Sequence, residues 1–166
     1  MKGGAQRIRL DSSDVSFLLP YREWRRLYRR AFNAQQLNHS EVCGFFSADS
    51  NGHISLEFLT NWSVRPGHFE LSTKELTRAK RNVDVGARLI GTFHSHPLSD
   101  AVPGAADIKN SSYDLASLIC DVCGRCARLW RIERKGKRKI ATELRLKIQR
   151  SGAQAKRAGE TTRERA

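Results

Sequence analysis

Apolar positions along this chain fall into alternating helix-like and strand-like stretches, and their order predicts a mixed α/β domain. Tyr21 to Gln36 carries Trp24, Leu27, Tyr28 and Ala31 at helical spacing with arginines opposite, and Pro20 stands where a helix can open. That face should pack on a sheet. Two strand-like runs follow, Glu41 to Ala48 and His53 to Thr60, joined by Asp49-Ser50-Asn51-Gly52, a composition suited to a hairpin turn. A second helix is predicted from Ser72 through Val83, where Ser72 and Glu75 have capping-box spacing and Leu76, Ala79 and Val83 share a face. Ala87, Leu89, Ile90 and Phe93 then form an apolar strand ending at Pro97, and a short helix is expected from about Ala105. The last elements are strands from about Leu115 to Val122, Leu129 to Arg134 and Ile140 to Ile148, the final pair meeting across Lys135-Gly136-Lys137.

Strands interleaved with helices, plus two hairpins, give a layered α/β architecture with a mixed sheet. The 166 residues suffice for one compact domain with a substantial core, and two full domains would be cramped. There is no run of eighteen apolar residues, and the opening Met1-Lys2-Gly3-Gly4-Ala5-Gln6-Arg7 lacks the apolar stretch of a secretory signal. A soluble cytoplasmic protein without membrane contact is therefore expected. Asn38-His39-Ser40, Asn61-Trp62-Ser63 and Asn110-Ser111-Ser112 fit the glycosylation sequon, which has meaning only in a secreted context, and are set aside.

The candidate chemistry sits at the end of the strand that carries Phe93. His94 and His96 are two apart, so on an extended strand both imidazoles project from one face toward a single ion. Pro97 takes the chain out of the sheet, and the loop to Gly104 leaves room for Asp107 to fold back as a third ligand. Structural zinc is usually closed by four protein ligands, often cysteines; three ligands leave a position for water, which favours catalysis. Zinc, one per chain, is the expected metal.

His94-Ser95-His96-Pro97, the six residues Leu98 to Pro103, Gly104-Ala105-Ala106-Asp107 and the upstream Glu41-Val42-Cys43-Gly44 together resemble the signature of the JAMM, or MPN-plus, metalloproteases. That signature is a glutamate followed at a distance by His-x-His-Pro, six residues and Ser-x-x-Asp. The match covers about residues 40 to 148, with one departure: Gly104 stands where the family has serine. The resemblance implies zinc on His94, His96 and Asp107 and Glu41 as the base that takes a proton from water. It also implies a curved mixed sheet with helices on both sides, similar to cytidine deaminases, although the His-x-Glu and Pro-Cys-x-x-Cys motifs of the deaminase reaction are not reproduced. The implied activity is hydrolysis of peptide or isopeptide bonds next to the tail of a ubiquitin-like or sulfur-carrier protein. The missing serine motivates a rival reading, a scaffold of the same fold with little catalysis. A second rival is a RadC-like DNA-associated factor. Gly104 can cap the helix that follows it and offer its backbone amide in place of the absent hydroxyl.

Charge and cysteines add less. Thirty Lys and Arg against seventeen Asp and Glu give a formal net charge of +13, concentrated in Arg22, Arg25, Arg26, Arg29 and Arg30 and in the chain from Arg131 to Arg165. Such a surface attracts nucleic acid non-specifically, but no base-reading motif is present. Residues 1–150 are read as the single JAMM-like domain and 151–166 as a basic flexible tail. Cys120, Cys123 and Cys126 with the distant Cys43 match a closed zinc site poorly; Cys43 and Cys120 are expected to be buried, and the other two thiols to lie at a turn or surface. Phe58, Trp62, Phe69 and Trp130 are read as core or groove aromatics.

Overall fold

The computed structural model describes residues 16–81, 86–111 and 115–150. In chain order the elements are β1 (Phe17–Pro20), α1 (Tyr21–Asn38), β2 (Cys43–Ala48), β3 (Ile54–Leu59), α2 (Thr73–Arg81), β4 (Arg88–His96), α3 (Ala105–Asn110), β5 (Ala116–Asp121), β6 (Cys126–Lys135), β7 (Arg138–Leu144) and β8 (Leu146–Gln149). Six strands form one sheet in the order β3-β2-β4-β5-β6-β7. Only β4 and β5 run parallel within it; the other neighbours are antiparallel, so the sheet is mixed as expected. None of the described helices is long and apolar enough to cross a membrane.

Helix α1 begins where the sequence places it. Pro20 is its N-cap residue, with φ −57° and ψ 139°, and Leu27 and Ala31 are fully buried on the predicted face. The helix stops because His39 turns into the left-handed region, φ 53°, while its amide returns a bond to the Gln35 carbonyl. Leu27 and Ala31 join Phe46, Ile90, Phe93, Leu118 and Leu129 in one core. Each large apolar side chain buried this way contributes roughly 1.5–3 kcal/mol relative to exposure. The β2–β3 hairpin forms as predicted: Asp49 Oδ1 accepts from the amides of Asn51 and His53, and Gly52 adopts φ 79°.

Two features depart from expectation. The run from Ile140 to Ile148 is not one strand; it divides into β7, which completes the large sheet, and β8, which leaves it. β8 pairs in parallel with β1, a strand the hydrophobic pattern did not reveal because its four residues are too few to show a period. The Phe17 amide donates to the Arg145 carbonyl at that break. Of the face predicted for the second helix, Val83 and the side chains of Leu76 and Ala79 lie outside what the structure describes, as does the proposed tail from residue 151.

Candidate metal centre

Strand β4 lies inside the sheet, and its C-terminal end carries the histidines. His94 is flanked by Cys43 of β2 and Ile119 of β5, and only 1% of it is exposed. Alternation along the strand brings His94 and His96 to the same face, with their Nε2 atoms 3.1 Å apart. β4 ends at His96, and the chain turns away at Pro97. The turn is pinned at several points: the side chains of Gln35 and Cys123 both donate to the Pro97 carbonyl, and Trp130 Nε1 donates to that of Ala101 at 2.8 Å. α3 then starts after Gly104, its N-cap, and returns Asp107 to the histidines. Asp107 Oδ1 stands 3.5 Å from His94 Nε2, and Oδ2 stands 3.5 Å from His96 Nε2.

These separations provide a test of whether a metal fits. A tetrahedral zinc with bonds of about 2.0–2.1 Å requires ligand atoms about 3.3–3.4 Å apart. The imidazole–imidazole edge is 3.1 Å, and each imidazole stands 3.5 Å from a different oxygen of Asp107, so the three groups converge on that scale, with one donor atom from each within 4.8 Å of the others. Among the described residues His94, His96 and Asp107 form a group that could hold a metal ion, and no cysteine joins such a group. Burial holds His94 below its ordinary pKa, keeping a lone pair available. For His96, burial acts in the same direction but is outweighed by Asp107 and the Asp100 carbonyl, so its pKa rises. Burial opposes ionisation of Asp107 as well, yet its bonds to both imidazoles and to the Gly104 amide hold it well below the usual carboxylate range. Two imidazoles and one carboxylate give a donor set suited to zinc.

Glu41 opens into the same cavity of about 650 Å³ as His94, His96, Gly104 and Asp107, a volume within the range of ligand sites. It lies two residues before β2 begins, rather than on the strand as the sequence pattern predicts. The Val42 amide donates to Ser95 Oγ at 3.0 Å, and the Ser95 amide donates to the Val42 carbonyl at 2.9 Å. Ser95 thus fastens the Glu41 segment to the histidine strand. Burial is the main cause that raises the Glu41 pKa from 4.5 to about 7; the charge of His96 lowers it and that of Asp107 raises it.

Other candidates fall differently. Cys43 and Cys120 are buried, their thiols pushed up to about 12 by that burial, while Cys123 is exposed and Cys126 half-buried at the β5–β6 turn. Trp62 is not a core residue: it is 60% exposed, with its indole N–H donating to Glu75. Phe58 lies beneath the guanidinium groups of Arg26 and Arg30. The Gly104 amide, considered as a replacement for the family hydroxyl, donates instead to Asp107 Oδ2 at 2.8 Å. Sequence reasoning missed Ser95, Asn61 and Gln35, whose contacts reach across the chain. The only local signal for Ser95 was its place between two histidines.

Residues 23–133 match the family of prokaryotic homologs of the JAB domain. A desampylase from Haloferax volcanii is 32% identical over 91 residues, 52% of this chain and 66% of that protein. A desampylase from Pyrococcus furiosus is 29% identical over 70 residues, 42% of this chain and 50% of that protein. The chain therefore spans less than two thirds of the length of each of these relatives. The solution structure of a Desulfitobacterium hafniense protein superposes with a TM-score of 0.65 at 22% identity, covering 81% of this chain and 94% of that one, and the likeness is one of fold. With two thirds of its length matched by that family's model, the chain belongs to the prokaryotic branch of the JAB/MPN family.

Proposed function

We propose that the protein is a zinc-dependent hydrolase that cuts peptide or isopeptide bonds beside the tail of a ubiquitin-like or sulfur-carrier protein. The observation that carries this reading is the convergence of His94, His96 and Asp107 at 3.1–3.5 Å in the cavity that also holds Glu41. Similarity to two desampylases supports a conjugated ubiquitin-like modifier as the substrate class.

Zinc, when bound, lowers the pKa of a coordinated water to about 7 and withdraws charge from a substrate carbonyl. The two histidines and Asp107 supply its protein donors. Glu41 takes the proton of the attacking water and later delivers it to the departing amine, a role favoured by a carboxyl poised near neutrality. The buried backbone beneath Glu41, fixed by Ser95, limits how far this carboxylate can stray from the water it serves. Gly104 supplies no hydroxyl to the reacting carbonyl, and its amide is engaged with Asp107.

Linear fusions of small β-grasp proteins to a reporter, incubated with zinc-loaded native and Glu41→Gln protein, test the proposal. Native protein should cleave after the modifier tail, and Glu41→Gln should lose on the order of a hundredfold or more in rate. Absence of cleavage across the panel, or equal rates for both forms, overturns it.

A further inference from the structure

The segment between β3 and α2 is tied together by one side-chain amide. Asn61 Nδ2 donates to the carbonyls of Glu41 at 2.9 Å and His68 at 3.0 Å. Its Oδ1 accepts from the amides of Ser63 at 2.9 Å and Glu70 at 3.1 Å. Both donors and both acceptor positions of the amide are thereby filled. The Trp62 amide closes the same loop by donating to the Glu70 carbonyl, and that of Gly67 donates to the His39 carbonyl.

Phe69 lies between the two residues that Asn61 holds, His68 and Glu70. Its ring stacks on the imidazole of His94, with centroids 4.5 Å apart and planes 22° apart. The two histidines differ in how their rings are oriented. His96 Nδ1 meets the Asp100 carbonyl at 2.6 Å, the kind of outer bond that usually fixes a metal-binding imidazole. His94 Nδ1 is buried and meets no hydrogen-bond partner among the described residues. An imidazole without such a bond has a broad torsional minimum about its last bond, and a stacked aromatic face narrows it.

We propose that Asn61 is a positioning residue with two arms, one holding the backbone of Glu41 and the other seating Phe69 on His94. On this reading Phe69 takes the place of the missing outer bond, and a single amide sets the base and one metal-binding ring together. The inference rests on the metal site proposed above. It gives a purpose to an asparagine whose only sequence signal was a chance glycosylation motif.

The test is release of zinc from purified protein to an excess of chromophoric chelator, together with the visible absorption spectrum of the cobalt-loaded protein. Phe69→Ala leaves every Asn61 bond in place, so it probes the stack without disturbing the loop closure. It should release zinc ten- to a hundredfold faster and change the cobalt bands, in the range typical for lost outer-shell support. Phe69→Tyr keeps the aromatic face and should restore both readouts. Asn61→Ala should match Phe69→Ala in zinc release, and the double variant should be no faster than either, because both act on the same ring. Native release and native spectra in Phe69→Ala overturn the inference, as do effects that multiply in the double variant. If native protein binds zinc and cleaves substrate while Phe69→Ala is unchanged, this inference alone fails. If native protein takes up no metal, the hydrolase reading fails with it.

Discussion

Replacing Glu41 with glutamine should make the metal-free protein more stable at alkaline pH while slowing the proposed hydrolysis. Burial lifts the Glu41 pKa from 4.5 to about 7, so the folded state holds this proton more tightly than the unfolded chain does. The sign follows directly: the stability associated with the protonated form is present at low pH and is lost as pH rises from 4.5 through 7. At about 1.4 kcal/mol per pH unit, the gap between those two values corresponds to roughly 3 kcal/mol by pH 8. Because the carboxyl faces the cavity, about 2 kcal/mol is the expected difference. Glutamine has nearly the same shape and no charge to bury. Urea unfolding of chelator-treated native and Glu41→Gln protein from pH 5 to pH 8 measures the effect. The variant should be ahead by only about 0.5 kcal/mol at pH 5 and by about 2 kcal/mol at pH 8. Zinc should shrink the difference, because a nearby cation favours the ionised carboxylate. A difference that does not vary with pH, or a variant less stable at pH 8, would refute the assignment of Glu41 to a desolvated position beside the metal site.

Three further substitutions probe how the site is supported. Gly104→Ser restores the family hydroxyl, and a Cβ there would lie 3.4 Å from Asp107 Oδ2, an ordinary contact; turnover should hold or rise by up to about a hundredfold, and a fall in kcat would count against it. Gly44→Ala would place a methyl 2.0 Å from the Glu57 carbonyl and 2.8 Å from the Phe93 ring, so urea melts should show a loss of at least about 3 kcal/mol; a native midpoint would contradict that packing. Ser95→Ala leaves the Val42 amide without its side-chain acceptor and should cost about 1–3 kcal/mol in the same assay, with kcat reduced and zinc release unchanged.

The parts of this molecule that were legible in the sequence are those written in local periodicity. The face of α1, the β2–β3 turn and the alternation of His94 and His96 each depend on residues a few positions apart. The end of β4 and the start of α3 were equally plain, because Pro97 stops a central strand and Gly104 is a permissive helix cap. β1 has no counterpart in the predicted elements and β8 is merged with β7 in the predicted run, because each is only four residues long and is defined by pairing between distant parts of the chain. Glu41 was found by resemblance rather than by physics. The Val42 backbone beside it exchanges a pair of bonds with Ser95 of the histidine strand and the Glu41 carbonyl accepts from Asn61, and no spacing rule encodes contacts across 53 and 20 residues. Trp62 was misread for a related reason: an aromatic residue carries a strong burial expectation, but this one has a hydrogen-bond partner at the surface in Glu75.

The central claim is that His94, His96 and Asp107 grip a single zinc ion. Zinc X-ray absorption on stoichiometrically loaded native protein and on His94→Ala measures it most directly. The expected result is one zinc per native chain with a first shell of nitrogen and oxygen only, and loss of that bound zinc in the variant. A native protein that stays metal-free after loading, or a shell containing sulfur, would contradict the account.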